Sequence, residues 1–165
     1  MRVKSINLFF GISCLLIILL GMNFSSCTHS ITRSSTRPSF KNQDQARLWR
    51  HAQTFLGIPY VFGGSTRAGM DCSGLVVRLY NDVHGIKLPH NTTELYHLGT
   101  AVSLRSIELG YLIFFKKVRG TQPSHVGVYL GDGRFIHATE SQGVIMSSLK
   151  ESYYQDRFLG VRKIR

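Results

Sequence analysis

Hydrophobic and polar residues follow two different periods along the chain, helical in the first half of the folded region and strand-like in the second. Residues 42–57 and 72–85 carry apolar residues three and four positions apart, the spacing of an amphipathic helix. A shorter helix is predicted after Pro89. From 110 onward the pattern changes to β-rich segments separated by glycine and polar residues, namely "GYLIFFKK", "HVGVYL", "RFIHAT", "GVIMSS" and "FLGVRKI". Helices followed by strands predict an α+β domain with helices packed on an antiparallel sheet.

The first 41 residues do not share these patterns. Arg2 and Lys4 precede the apolar stretch "INLFFGISCLLIILLGMNF", which is typical of a secretory signal or an N-terminal anchor. The following "GMNFSSC" resembles the lipobox of bacterial lipoproteins, in which the signal is cut just before a lipid-bearing cysteine, here Cys27. The alternative is an uncleaved anchor followed by an incidental thiol. We predict a lipoprotein signal peptide at 1–26, a lipidated cysteine with a polar tether at 27–41, and one domain at 42–165.

The composition and the net charge indicate which classes of partner suit this protein. The chain has 165 residues, of which 43% are hydrophobic and 18% charged, as in a globular protein. The 20 lysines and arginines outnumber the 9 acidic residues and give a formal net charge of +11. Such a surface favours polyanions such as wall polymers, anionic lipid or nucleic acid. The export signal argues against nucleic acid, and a basic surface without a dedicated partner is the alternative interpretation.

The cysteines point to a reactive thiol. Cys14 lies within the apolar signal and Cys27 would carry the lipid, so Cys72 has no disulfide partner. An unpaired cysteine in an exported protein is a candidate nucleophile, although a lone cysteine is more often a small buried hydrophobe. Cys72 follows Asp71, a candidate N-cap, at the start of a predicted helix that ends at Gly85. A helix N-terminus and a nearby histidine both favour the thiolate form of such a residue.

Two of the seven histidines lie on adjacent predicted strands, on either side of "GDG". A three-residue loop over 131–133 would pair Leu130 with Arg134 and place His125 and His137 on one face of the hairpin. A two-residue Asp-Gly turn would place them on opposite faces. We predict the three-residue loop.

A thiol and two histidines on one surface provide the groups that acyl transfer requires. A thiolate attacks the carbonyl carbon, a base carries the proton, and a third polar group orients the base. Cys72, His125 and His137 are the candidates, and the backbone N–H of Cys72 and the hydroxyl of Tyr60 are candidate donors to the oxyanion. The same three side chains match zinc ligands, but the spacing typical of zinc sites is missing, so no metal site is predicted.

The segments "PYVFGG", "MDCSGLV" and "PSHVGVYLGDGRFIHA", in this order and spacing, resemble the NlpC-type cell-wall cysteine peptidases, which have a papain-like fold. The resemblance extends from about residue 42 to the end of the chain. It implies a nucleophile at a helix N-terminus and the following roles: Cys72 as nucleophile, His125 as base, His137 as the polar third member, Tyr60 at the oxyanion, and Asp71 with Ser73 in substrate binding.

The same resemblance implies a function. These peptidases cleave peptidoglycan stem peptides, typically between D-glutamate and the diamino acid, through a thioester acyl-enzyme and without a metal or cofactor. We expect a monomer in the bacterial cell envelope, attached to a membrane by the lipid on Cys27. The chain departs from the family at Tyr111, where aspartate is usual, and at His90, where arginine is usual. A catalytically idle wall-binding lipoprotein and an acyltransferase or amidase that uses the same thiol are the alternatives.

Overall fold

A computed structural model describes residues 38–165, so the predicted signal peptide and Cys27 lie outside the described residues. The helices are α1 (Gln43–Gln53), α2 (Cys72–His84), α3 (Thr92–His97) and α4 (Ser152–Gln155). The strands are β1 (Ser65–Thr66), β2 (Gly69–Met70), β3 (Thr100–Val102), β4 (Leu112–Lys116), β5 (Pro123–Gly131), β6 (Arg134–Thr139), β7 (Gly143–Ser148) and β8 (Phe158–Lys163). A short 3₁₀ turn covers Leu104–Ser106.

Six of the strands form one antiparallel sheet in the order β3-β8-β4-β5-β6-β7, while β1 and β2 form a separate small ribbon. Helices α2 and α3 pack against β5, and α1 packs against α2. The predicted α+β class with an antiparallel sheet is therefore confirmed. Strand β4 contributes Leu112 and Phe114 to the helical side of the core, and Ile113 and Phe115 to a smaller cluster that includes Tyr154 of α4. The centre of the sheet is thus buried on both faces.

Helix α2 is the element that the sequence predicts best. The side chain of Asp71 accepts a hydrogen bond from the Gly74 N–H and caps its start, and Gly85 closes it in the left-handed conformation with a φ of 67°. The predicted apolar stripe is buried throughout: Leu75, Val76, Leu79, Tyr80 and Val83. These contacts fix the direction of α2 and so the position of Cys72 at its first turn.

The prediction for α1 is correct at its start and wrong at its end. Asn42 caps the helix as predicted. The helix stops at Gln53, however, and the chain turns before Gly57, so that Phe55 is buried while Leu56 is 41% exposed. Three short elements were not predicted, namely the β1–β2 ribbon in "STRAGM", strand β3 and helix α4. No helix within 38–165 is long and apolar enough to cross a membrane.

The turn of the β5–β6 hairpin differs from the prediction, but the register of its histidines does not. Asp132 and Gly133, with φ values of 53° and 73°, form a two-residue turn that pairs Gly131 with Arg134. The predicted three-residue loop is therefore wrong. A β-bulge just before Gly131 shifts the register by one residue, and Tyr129 pairs with Phe135 as expected. This extra residue returns the two histidines to the same face of the sheet.

Candidate active site

Cys72 is the first residue of α2 and lies where that helix meets strand β5. Its Sγ is 3.7 Å from the Thr92 Oγ1 of α3, and the backbone N–H of Val126 faces the sulfur. The side chain is half-buried and is a free cysteine. Sequence analysis did not identify Thr92 as a neighbour of the thiol, because α3 reaches it only through tertiary packing.

Burial raises the pKa of the Cys72 thiol, while hydrogen bonds from Thr92 and from the N–H groups of Val126 and Ser73 lower it only in part. The pKa of Cys72 is therefore raised overall, so the side chain is a neutral thiol in the resting protein. The sequence-based expectation of a thiolate favoured by the helix N-terminus is not supported, because burial in the folded protein outweighs the local signal.

His125 and His137 contact each other directly. The Nε2 of His125 lies 2.8 Å from the Nδ1 of His137, and the two rings are nearly perpendicular with their centroids 5.0 Å apart. Gly127 lies two residues after His125 on β5, and a Cβ atom there would lie 3.3 Å from the Cβ of His137. The missing side chain leaves room for the two imidazoles. Because Nε2 of His125 is engaged by His137, its Nδ1 is the nitrogen left for other partners.

His137 also has hydrogen-bonding partners in the interior of the protein. It is 0% exposed, and its Nε2 lies 2.9 Å from the Oγ of Ser147 and 3.3 Å from the hydroxyl of Tyr154. The Ser147 and Tyr154 oxygens are 3.1 Å apart. Sequence analysis missed both residues. The alternation of β7 places Ser147 on an inner face, but nothing local indicates that it meets a histidine.

The same burial makes both histidines neutral. It lowers the pKa of His125 to about 4. It lowers the pKa of His137 to about 3, with a further contribution from the neighbouring His125. At neutral pH the site therefore holds a thiol and two uncharged imidazoles, a state in which His125 can accept a proton.

Asp71 is the centre of a hydrogen-bond network at the start of α2, next to Cys72. Its carboxylate accepts from the Ser73 Oγ at 2.9 Å, from the Gly74 N–H at 2.7 Å and from the Gly63 N–H at 2.8 Å. His90 Nε2 lies 3.0 Å from the same carboxylate. Burial alone would raise the pKa of Asp71, but these hydrogen bonds lower it below its ordinary value. The carboxylate therefore stays charged and holds α2, the Gly63 loop and His90 together.

Asp71 and Ser73 are only 7% and 6% exposed, and neither lines the cleft that contains Cys72. This location differs from the substrate contact that the resemblance implies for them, because their polar atoms are used inside the protein. Tyr111, the second departure from the family, also lies away from the cleft; its carbonyl accepts from the Tyr129 N–H at 2.9 Å.

Tyr60 does line the cleft, beside Cys72. Burial raises the pKa of its hydroxyl, and the negative charges of a Cys72 thiolate, of Asp71 and of Glu140 would raise it further. The hydroxyl thus keeps its proton and is available as a hydrogen-bond donor. This location agrees with the one expected for an oxyanion contact.

The cleft has a volume of about 1110 Å³ and brings together Cys72, His125 and His137. Its remaining lining comes from the ends of β4, β6, β7 and the α4 region, and includes Lys116, Lys117, Glu140, Glu151 and Arg157. Within residues 38–165, no three His, Cys, Asp or Glu side chains are arranged to hold a metal ion.

Residues 57–163 match the NlpC/P60 family model. The chain belongs to the NlpC/P60 family. It is 35% identical over 153 residues to the probable endopeptidase NlpC of Escherichia coli K12, covering 90% of this chain and 97% of that protein. It is 37% identical over 120 residues to the murein DD-endopeptidase MepS/murein LD-carboxypeptidase of the same organism, covering 73% of this chain but only 63% of that protein.

Solved structures agree with this membership. An NlpC/P60 family protein from Bacillus cereus superposes with a TM-score of 0.67 at 32% identity, covering 73% of this chain and 40% of that one. The peptidoglycan hydrolase RipB of Mycobacterium tuberculosis superposes with a TM-score of 0.61 at 27% identity, covering 74% of this chain and 65% of that one. The helices and antiparallel sheet described above are therefore those of the NlpC/P60 fold.

Proposed function

We propose that this protein is a cysteine endopeptidase that hydrolyses peptidoglycan stem peptides, at the bond between D-glutamate and the diamino acid. The observation that supports it most is the direct contact between His125 and His137 in the cleft that contains Cys72. Family membership and the names of the relatives, which include murein endopeptidases, support the same class of substrate.

The first chemical step joins the substrate to the enzyme. The Cys72 sulfur attacks the carbonyl carbon of the scissile bond while the thiol proton passes to Nδ1 of His125. The tetrahedral intermediate then collapses, the C–N bond breaks, and His125 returns the proton to the leaving amine. The product of this step is a thioester on Cys72 and a free amino group on the released peptide.

Only one arrangement of protons suits this step. If Nδ1 of His125 is to accept the thiol proton, Nε2 must carry a hydrogen and donate it to Nδ1 of His137. His137 then carries its own hydrogen on Nε2 and donates it to the Ser147 Oγ at 2.9 Å. The hydroxyls of Ser147 and Tyr154 complete the series. The buried partners thus select the tautomer of the base, as a third member does in other nucleophilic sites.

The remaining groups stabilise charge and fix position. The first N–H groups of a helix have no intrahelical partner, so the N–H of Cys72 and the Tyr60 hydroxyl are our candidates for the oxyanion. We assign Asp71 and Ser73 to positioning Cys72, since both are buried in the network at the start of α2. In the second half of the cycle, water attacks the thioester while His125 takes its proton, and Cys72 is released as the thiol.

The test is digestion of purified peptidoglycan by the full chain in detergent, beside Cys72→Ala and Ser106→Ala as a matched surface control. We expect new amino groups with the wild type and the control, and none with Cys72→Ala. A wild type that releases no new amino groups would be an idle wall-binding member of the fold. Equal release by Cys72→Ala would show that Cys72 is not the nucleophile. Added amine acceptors that appear in the product would identify an acyltransferase.

We also propose that the protein is a monomer attached to a membrane of the bacterial envelope through a lipid on Cys27. The apolar segment and the sequence "GMNFSSC" support this location. Mass spectrometry of the mature N-terminal peptide should show a lipid-modified Cys27 as the first residue. A chain that starts at Met1 with an unmodified thiol would contradict it.

A further inference from the structure

One side of the cleft carries a guanidinium that is already held in place. Arg157 lies just before β8, and its Nη1 donates to the carbonyl of Tyr153 at 2.8 Å. Its Cζ is 3.7 Å from the centroid of the Tyr153 ring, a cation–π contact. Because two contacts fix the guanidinium, little side-chain freedom is lost when it binds a further group. Tyr153 itself is 56% exposed, so this pair is open to a ligand.

Two lysines extend the positive charge toward the catalytic histidine. The N–H of Lys116, at the end of β4, donates to the carbonyl of Arg157 at 2.8 Å, so the two residues are neighbours across the sheet. Lys117 follows, and all three residues line the cleft. Among residues 38–165, no carboxylate forms an ion pair with any of them. Three cations on one wall therefore lack an anionic partner in the described part of the protein.

The acidic residues of the cleft do not cancel this charge. Glu140 lies on the β6–β7 turn, on the other side of His125 from β4 in the strand order. Glu151 accepts the Ser148 N–H at 2.7 Å and keeps its charge, so Glu140 and Glu151 together offset at most two of the three positive charges. The cleft is thus basic at the β4–β8 side and acidic at the β6–β7 turn, and an elongated ligand with a carboxylate is attracted in one direction.

The sheet fixes how far the basic side lies from the catalytic centre. Phe158, the residue after Arg157, pairs with Phe115, and Phe115 pairs with His125. Two strand spacings separate the backbones of Phe158 and His125, which is about 10 Å. An arginine side chain and one substrate residue together span this distance. A carboxylate one residue away from the scissile carbonyl would therefore reach Arg157.

We propose that Arg157, assisted by Lys116, is the specificity-determining site for a carboxylate of the substrate peptide. This inference rests on the proposed function and names the group by which the substrate is recognised. Both residues at the proposed scissile bond are possible sources. Glutamate has two carboxyl groups and uses only one in that bond, and the diamino acid carries a carboxyl group of its own. A bidentate guanidinium–carboxylate pair supplies both attraction and orientation.

Binding tests the proposal without requiring turnover. The full chain carrying Cys72→Ala is titrated in detergent with a synthetic stem peptide, and with two analogues in which either the glutamate carboxylate or the diamino acid carboxylate is a primary amide. We expect one amide to bind about tenfold more weakly than the parent peptide, the effect of losing one charge-assisted pair. Adding Arg157→Gln should weaken the parent peptide by the same factor and leave that amide unchanged.

Arg105→Gln is the matched control, since Arg105 is an exposed arginine that does not line the cleft. It should leave all three affinities unchanged, which excludes a general effect of net charge. Arg157→Lys should bind with intermediate affinity, because lysine keeps the charge but not the planar, stacked geometry. The analogue that loses affinity identifies which carboxylate is bound.

The outcomes separate this inference from the proposed function. Equal binding of the parent peptide and both amides, or equal losses by Arg157→Gln on all of them, would overturn the carboxylate site even if the enzyme cleaves peptidoglycan. Conversely, a protein that shows the predicted differences in binding but releases no amino groups would retain the site and lose the endopeptidase assignment. In an active enzyme, Arg157→Gln should raise KM about tenfold for the parent peptide and change kcat less than about twofold.

Discussion

His90 Nε2 lies 3.0 Å from Oδ1 of Asp71, the residue that caps the helix carrying Cys72. The resemblance to the NlpC-type peptidases implies arginine at the position of this histidine. His90 therefore supplies, with a shorter side chain, a hydrogen-bonding partner for the buried carboxylate. The start of α2 is therefore fixed by His90, which lies outside the helix, as well as by the Gly74 N–H within it.

Replacing His90 tests whether this contact positions the nucleophile. His90→Ala removes one of four partners of the Asp71 carboxylate, so we expect kcat/KM to fall about three- to tenfold and KM to change little. His90→Arg should restore most of the activity, because arginine offers the same carboxylate a donor. The measurement is steady-state hydrolysis of a stem peptide with both variants. Equal activity in His90→Ala and the wild type would show that the contact has no role in positioning.

The charge state of Cys72 predicts how the thiol reacts with iodoacetamide. Its pKa is raised by burial and that of His125 is lowered to about 4, so a thiolate–imidazolium pair is not the resting form. We expect the alkylation rate to be low at neutral pH and to rise about tenfold with each pH unit on the alkaline side until the thiol is ionised. A rapid, pH-independent reaction between about pH 5 and 8 would indicate an ion pair instead.

Catalysis should have a different pH limit on the acid side. The rate depends on an uncharged His125, and the pKa of His125 is about 4. We expect kcat/KM to be lost as the pH falls through this value and to be nearly constant between about pH 5 and 7. A half-maximal rate near the ordinary histidine value of 6.5 would be inconsistent with this prediction.

The free energy of unfolding should depend on pH through the same two histidines. The unfolded chain takes up protons as the pH falls below about 6.5, whereas folded His125 and His137 do so only near 4 and 3. The contribution of the two histidines to the free energy of unfolding is therefore fully present above about pH 6.5. On the order of a few kcal/mol of it is lost as the pH falls toward 4. Urea unfolding at a series of pH values measures this loss. A free energy of unfolding that is flat over that interval would contradict the burial of two neutral imidazoles.

We expect the loss of the Ser147 hydroxyl to lower kcat, although the side chain is small. Ser147→Ala removes the oxygen that accepts from His137 Nε2, so we expect a fall of about tenfold in kcat and a loss of about 1 kcal/mol in stability. Ser148→Ala, one residue along β7, is the control, because its hydroxyl accepts from the Lys150 N–H at 3.1 Å and not from His137 Nε2, which lies 2.9 Å from the Ser147 Oγ. Equal kcat values for the two variants would remove Ser147 from the series of hydrogen bonds.

Gly127 should not tolerate a side chain. A Cβ there would lie 2.7 Å from Cδ2 of Phe135 and 2.9 Å from the carbonyl oxygen of Ile136. Gly127→Ala should therefore destabilise the protein by about 1–3 kcal/mol and lower activity by displacing His137. Gly120→Ala is the matched control, since its nearest contact would be 3.5 Å away. Similar free energies of unfolding for both variants would show that the hairpin adjusts without cost.

The sequence predicts α2 well because its local signals agree. The cap at Asp71, the apolar stripe and the glycine at 85 all lie within one segment, and no distant contact is needed to interpret them. The β5–β6 turn shows the opposite case. The two-residue turn is a strong local signal, but the bulge that precedes it depends on pairing with β4 and β6. The histidines were placed correctly on one face although the turn was not.

The partners of Cys72 and His137 could not be predicted for the same reason. Thr92, Ser147 and Tyr154 lie on α3, β7 and α4, and only the folded sheet brings them to Cys72 and His137. The charge of Cys72 is also a property of the folded protein. Its position at a helix start was predicted from the sequence, but its burial, which sets the direction of its pKa, was not.

The raised pKa of Cys72 has a consequence beyond catalysis. Peroxide and disulfide compounds react with thiolates far faster than with thiols. If the proposed mechanism holds, Cys72 keeps its proton until a substrate carbonyl and His125 are both in place. We therefore expect it to resist oxidation to a sulfenic acid or a mixed disulfide between turnovers. The burial that makes Cys72 depend on His125 for ionisation would thus also protect the sulfur in an oxidising environment. Residues 38–165 contain no second cysteine that could reduce it again after oxidation.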